Sequence, residues 1–317
     1  MSFLSRYGTL WGAVPETSGR VFWVSAGATY TIDGITYDAS DDNDGLSPER
    51  ALRRVNRAWA LATANAGDII MLLPGTHVAA NAAGTATSIA ASVAGVTMMG
   101  LPSIGGGNML RPRATLNIAA ADETVNVTAA DIEIAHIGFV GVAGQTAIAT
   151  LNFSAAANRL YIHDCLVDVT AQTISTSILG FDATGAASHV VIERCHFITD
   201  GAFGAMIDMT GTLDSLIQDC LFTHTTGTLA SAITVGAATD RLTIRRNTFN
   251  DSAGTISAGV NGTGATIAGG CLLSYNYGGV TVTALATGWT AGEAELCNNY
   301  DGGVGGGDGG VLYTATA

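Results

Sequence analysis

A short pattern occurs five times between Asp131 and Phe249: IEIAHIGF, LYIHDCLV, VVIERCHF, SLIQDCLF and LTIRRNTF. Aligned on Ile134, Ile162, Ile192, Ile217 and Ile244, the copies stand 28, 30, 25 and 27 residues apart. ATIAGGCLL reads as a degenerate copy that puts Ile267 a further 23 on, and AELCNNY adds one at Leu296. Each copy is a β-branched run, a polar pair, then Cys, Ile or Asn, then an apolar residue two further on. That order spells a strand, a bend and a strand. A unit this small cannot bury its own apolar face, so the copies must stack, and strand repeats without helices stack into a solenoid of parallel sheets.

Stacking brings equivalent positions of successive coils within one strand spacing, about 4.8 Å. Three columns then read as interior ladders: the isoleucines; Ile137, Cys165, Cys195, Cys220 and Asn247; and Phe139, Val167, Phe197, Phe222 and Phe249. Two polar columns alternate in sign. One holds Asp131, Arg159, His189, Asp214 and Arg241, the other His136, Asp164, Arg194, Asp219 and Arg246. These predict carboxylate–guanidinium ladders, with Asp164 and Asp219 facing Arg194 from either side.

With these repeats, and with DASDDNDGLSPERALRRVNRAWALATANAGDIIMLLPGTHV ahead of them, the chain resembles the right-handed parallel β-helix, or pectin-lyase-like, superfamily from about Val21 to about Asn299. The resemblance implies an all-β solenoid with an N-terminal capping α-helix. The superfamily includes polysaccharide lyases, glycosidases and phage tailspikes, so function has to be argued from a site.

The expected organisation is an N-terminal arm over residues 1–20, a first hairpin and capping helix over 21–66, the parallel β-helix over 67–275 and an irregular glycine-rich cap or tail over 276–317. In the arm, Phe3, Leu4, Tyr7, Leu10 and Trp11 have no core of their own. They pack along the first coil or dock on a neighbouring protein. Asp33 and Gly34 suit a tight hairpin turn. Ser47 and Pro48 read as N-cap and first residue of a helix, with Leu52, Val55, Trp59 and Ala62 as its apolar stripe. Arg50, Arg53, Arg54 and Arg57 take the opposite face, as a solvated surface or a patch for an acidic partner. SIGGGNMLRPRA, near Gly105, suggests a lateral protrusion.

The basic residues are 13 arginines and no lysine, set against 26 acids for a net charge of −13. Nucleic acid needs a basic face for its phosphates, so it is not the expected partner. The N-terminus carries no secretory pattern and no run of 18 apolar residues occurs, so the expectation is a protein made in the cytoplasm with no membrane partner. Five cysteines without metal spacing read as buried small hydrophobes.

For chemistry, Asp41, Asp42 and Asp44 are the oxygen ligands a structural Ca²⁺ would use, although their spacing is not that of an EF-hand. A turn held by side-chain-to-backbone hydrogen bonds is the other reading. Asp164, Glu193 and Asp219, with Asp168 and Asp200 nearby, lie on consecutive coils, as a glycosidase pair about 5–9.5 Å apart would require. Against catalysis, a carboxylate paired with Arg stays ionised. The lyases of the superfamily group acids for Ca²⁺ and place an Arg or Lys as base; no three carboxylates with an adjacent Arg stand out along one face here. His163, His196 and His224 read as single hydrogen-bonded positions. The first functional expectation is therefore a non-enzymatic bacteriophage virion protein, a homotrimeric capsid decoration (cement) protein or short spike on the virion surface, docked on the major capsid or another virion protein. The alternatives are a tailspike-type polysaccharide depolymerase or lyase, and a passive glycan-binding receptor.

Overall fold

In a computed structural model of the chain, the described residues are 18–78, 88–101, 112, 114–117, 124–141, 151–170, 178–182, 187–200, 203–251, 255–262, 270–279, 282–283, 285–287, 289, 294–301 and 310–312. Apart from a two-stranded hairpin, their strands form three long sheets whose members, save one antiparallel strand at the C-terminal end of the second, are parallel neighbours from successive coils. The first sheet runs from Val21–Val24 to Ala294–Cys297, through Glu133–Ala135, Tyr161–His163, Val191–Glu193, Leu216–Gln218 and Thr243–Arg245. The second takes the strand after each bend, such as Ile137–Val140 and Leu166–Asp168, and the third closes the coil with strands such as Leu151–Phe153 and Thr228–Val235. The fold is a right-handed parallel β-helix.

Register follows the predicted columns. Ile134, Ile162, Ile192, Ile217 and Ile244 pair in succession and are fully buried. Towards the N-terminus the ladder extends through Met98, Ile70 and Phe22. Beyond Ile244 the next rung is Leu273 and then Leu296. The expected rung at Ile267 is thus corrected, since that residue lies outside the described residues and its place is taken by Leu273. Phe197, Phe222 and Phe249 stack with ring centroids 5.0 Å apart at each step. Full burial of each such ring contributes about 1.5–3 kcal/mol.

The cysteine column changes chemistry partway along. Asn247, Asn276 and Asn299 continue it as a buried amide ladder. Asn276 donates through Nδ2 to the Ile244 carbonyl and to Asn299 Oδ1, both at 2.9 Å, while its own Oδ1 accepts from the Asn247 backbone N–H and Nδ2, both at 3.1 Å. The thiols imitate half of this, since Cys165, Cys195 and Cys220 direct Sγ at the carbonyls of Ile134, Ile162 and Ile192.

Both polar columns occupy left-handed corners. Asp131, Arg159, His189, Asp214 and Arg241 turn the chain into the first sheet with φ of 48–58°. His136, Asp164, Arg194, Asp219 and Arg246 turn it from the first sheet into the second, with φ of 50–56°. A side chain other than glycine is strained there. Each corner N–H of the second column is satisfied by the next coil, as in Asp164 N to the Glu193 carbonyl at 3.2 Å and Arg194 N to the Gln218 carbonyl at 3.2 Å. The ion ladders resolve into separate pairs, Asp131–Arg159, Asp164–Arg194, Asp214–Arg241 and Asp219–Arg246. Asp219 therefore belongs to Arg246 and does not bond Arg194 as expected.

The N-terminal segment also departs from expectation. Pro48–Arg50 is a 3₁₀ turn, and the α-helix, here α1, spans only Val55–Leu61 with Arg54 at its N-cap. Ser47 makes no side-chain cap bond. Leu52, placed on the helix stripe from sequence, is instead extended and bridges Val24, with Leu52 N donating to the Trp23 carbonyl and Ser25 N to the Leu52 carbonyl. The open edge of Val21–Val24 offers backbone partners that a helical Leu52 could not satisfy. Val55, Ala58 and Trp59 of α1 are buried. The hairpin forms as predicted, with Asp33 and Gly34 at φ 50° and 80°. Strand pairing also passes residue 275, with Tyr277–Gly278 and Asn299–Asp301 extending the second sheet and Gly310–Leu312 closing it antiparallel. The residues near Gly105 and the residues 1–17 lie outside the described residues.

Candidate functional site

The outward face of the first sheet is divided by composition. At its N-terminal end Trp23, Ile69, Met71 and Met99 form a second apolar cluster, packed with Ala51 and Tyr30 of the segments that fold back over it. From Glu133 onward at least one residue flanking each ladder isoleucine is polar, Glu133, Tyr161 and His163, Glu193, Gln218, then Thr243 and Arg245, with Ala135, Val191 and Leu216 the apolar neighbours. Strand alternation points them all outward, and the 4.8 Å stacking brings them into one patch beside the Asp164–Arg194 corner.

His163 is its centre. Nε2 lies 2.9 Å from Glu133 Oε1 and Nδ1 lies 2.6 Å from Asp164 Oδ2. Its ring stacks on Tyr161 at 4.3 Å and meets His136 edge-on at 5.7 Å. Arg194 forks onto Asp164 through Nε and Nη2 at 3.0 and 2.9 Å and also bonds Glu193. Glu193 further accepts from the Tyr161 hydroxyl and, at 2.6 Å, from Gln218 Nε2. Gln218 passes the chain of bonds to Arg245 and Arg246.

Charge states follow from these contacts. Burial opposes the charge of Asp164, but the His163 and Arg194 hydrogen bonds outweigh it and hold the carboxyl well below the usual range. Glu193 is likewise lowered, its burial overcome by Tyr161, Gln218 and Arg194. Glu133 is lowered chiefly by His163, and Asp219 chiefly by Arg246. For His163, burial disfavours the imidazolium, yet its bonds to Asp164 and Glu133 raise it to about 9. The patch is a set of ionised partners.

The sequence candidates distribute as follows. Asp164 and Glu193 meet through Arg194, whereas Asp219 stands apart with Arg246. Three carboxylates, Glu133, Asp164 and Glu193, do share one face with an adjacent arginine, which corrects the expectation that no such group occurs. His163 is likewise no isolated position. Glu133, Tyr161, His136 and Gln218 join the site only once the coils are stacked; their signal in the sequence is the polar positions flanking the isoleucine column. Asp41 accepts from the backbone N–H groups of Arg53 and Arg54 at 3.1 and 3.0 Å and pairs with the Arg54 guanidinium. Asp44 pairs with Arg50 at 3.2 Å, and Asp42 is exposed. Two of the acids expected to hold Ca²⁺, Asp41 and Asp44, thus engage two of the arginines expected to hold a partner, Arg54 and Arg50. Phe3, Leu4, Tyr7, Leu10 and Trp11 lie outside the described residues. Among the described residues, the side chains that converge as a metal-ligating group are His136, His163 and Asp164, one donor atom of each lying within 4.8 Å of the others.

No protein-family model matches the sequence, and no curated protein matches it. Among solved structures, a pectin methylesterase from Aspergillus niger is similar over 95% of this chain and 93% of its own, at 11% identity and a TM-score of 0.53. The pectin methylesterase PemA from Erwinia chrysanthemi is similar over 95% of this chain and 94% of its own, at 10% identity and a TM-score of 0.52. ORF18 of Geobacillus virus E2 aligns over 78% of this chain and 56% of its own, at 10% identity and a TM-score of 0.40. The chain is a right-handed parallel β-helix protein. At these identities the likeness is one of fold.

Proposed function

We propose that the chain is a non-enzymatic structural protein of a bacteriophage virion, a trimeric capsid decoration protein or short spike. The observation that carries this reading is the closure of the ionic patch. Glycoside cleavage by a carboxyl pair needs one partner that arrives protonated. Here Glu133, Asp164, Glu193 and Asp219 are all held on the ionised side by named partners. Low charge supports the same reading: charged residues make up 12% of the chain, against about 25% in an ordinary soluble domain. Three solenoids side by side would cover one flank of each and need less surface charge. Arg53 and Arg57 are exposed and, with the N-terminal arm, are the parts offered to a capsid partner, while Arg54 is committed to Asp41 and Arg50 to Asp44.

The test is the mass of the purified protein by light scattering, with and without residues 1–20. The expected result is a trimer in both cases, and a monomer would overturn the trimeric reading. Incubation with acidic polysaccharides is the companion assay; release of new chain ends or of methanol would overturn the non-enzymatic one.

A passive glycan-binding role is the second reading, favoured by an exposed aromatic group near the C-terminal end. Tyr277 and Tyr300 stack at 5.2 Å and Tyr275 stands at an adjacent corner, 61% exposed. Retention on immobilised glycan that is lost in Tyr277→Ala would select this reading.

A further inference from the structure

We infer that His136, His163 and Asp164 form a binding site for a divalent transition-metal ion of the Zn²⁺ class, which staples two successive coils. His136 comes from one coil and His163 with Asp164 from the next, so the three donors meet only because the coils stack. Their donor atoms lie within 4.8 Å of one another, and a site of two imidazoles and a carboxylate suits Zn²⁺, Ni²⁺ or Co²⁺ better than Mg²⁺ or Ca²⁺.

Three features mark the site as built. The His163 ring is fixed, stacked on Tyr161 and bonded to Glu133, itself anchored by Thr97 Oγ1 at 2.9 Å. An imidazole that donates one N–H to a carboxylate presents its other nitrogen as a ligand, the arrangement usual around bound zinc. Here that other nitrogen, Nδ1, already lies 2.6 Å from Asp164 Oδ2, so an ion would take the place of the proton they share. Charge points the same way: once His163 gives up its proton to the ion, Glu133, Asp164 and Glu193 bring three carboxylates against the Arg194 guanidinium, which bonds Asp164 and Glu193 and stands 3.4 Å from His163 Nδ1. His136, only partly buried at the corner, leaves a route from solvent.

The experiment is calorimetric titration of the full chain, first dialysed against EDTA, with ZnCl₂, and separately with CaCl₂. The key variant is His136→Asn, which removes the imidazole while suiting the left-handed corner, as Asn298 does in the same column at φ 52°. His189→Asn, in the other corner column, is the control for adventitious surface binding. One Zn²⁺ per chain is expected, weakened about 100-fold or more in His136→Asn, a loss at least as large as removing an outer-shell partner gives. His189→Asn should bind as the parent does. Absence of Zn²⁺ binding, binding unchanged in His136→Asn, an equal loss in His189→Asn, or Ca²⁺ bound as tightly as Zn²⁺ would each overturn the assignment. Circular dichroism of both variants confirms that they retain the strand signal of the parent.

Discussion

Asn276 uses its side chain fully, donating twice and accepting twice in a place water does not reach. Asn276→Ala strands the amide groups of its neighbours, and a buried unsatisfied group costs about 1–3 kcal/mol, so a loss of about 3 kcal/mol is expected in urea unfolding. Asn247→Cys should cost less, about 1–2 kcal/mol, because a thiol like that of Cys220 in the preceding coil keeps the carbonyl contact, while the buried Cys220 N–H loses its Asn247 Oδ1 acceptor. His77 supplies a pH test. It is buried, with Nε2 2.8 Å from the Leu73 carbonyl. Burial pushes it down to about 4 from an ordinary 6.5, the Leu73 bond opposing only in part. The unfolded chain then binds the extra proton between these values, so stability is intact above pH 6.5 and falls as the pH drops towards 4, by about 3 kcal/mol in all. His77→Gln should remove that part of the slope between pH 6.5 and 5, measured as the difference in unfolding free energy from the parent.

At the scale of one corner and its neighbours, charged residues hold a backbone conformation that usually falls to glycine. Asp219→Arg should lower the melting temperature by setting two guanidinium groups against each other, and Arg246→Asp added to it should recover part of the loss. Arg194→Asp added instead should recover less, because Asp219 is bonded by Arg246 and not by Arg194. A double-mutant cycle on melting temperatures separates the two cases. This pairing also marks how far the sequence could be read. The alternation of Asp and Arg down a column was legible, since one strand spacing fixes the neighbours; which neighbour each guanidinium chooses was not, since side-chain reach on either side of a rung is equal. The fate of Leu52 shows a second limit. Its periodic place beside Val55 and Trp59 is helical, and only the unpaired edge of Val21–Val24, a partner distant in sequence, makes it extended. The polar patch failed to stand out for a related reason: Glu133, His163 and Glu193 are 30 residues apart at each step and become neighbours only once the register is set.

For the whole molecule, stability is distributed along an axis, each coil touching mainly the one before and the one after, so it resembles a sum of nearest-neighbour terms. The chain should not melt as one unit. Of its four tryptophans, those among the described residues sit near the ends, Trp23 and Trp59 in the first coils and Trp289 in the last. Tryptophan fluorescence should therefore change at lower urea than the far-ultraviolet strand signal, which weighs all coils. Coincident transitions would instead show that the stack unfolds cooperatively from end to end.

The switch from thiol to amide within one buried column has a practical consequence. Cys165, Cys195 and Cys220 mark three adjoining middle coils, Cys271 a later one, and Cys297, partly exposed, the last turn of the first sheet. None is tied in a disulfide. Alkylating reagent and peptide mass mapping would therefore convert the chain into its own ruler, each modified thiol dating the moment at which its stretch of the stack came open.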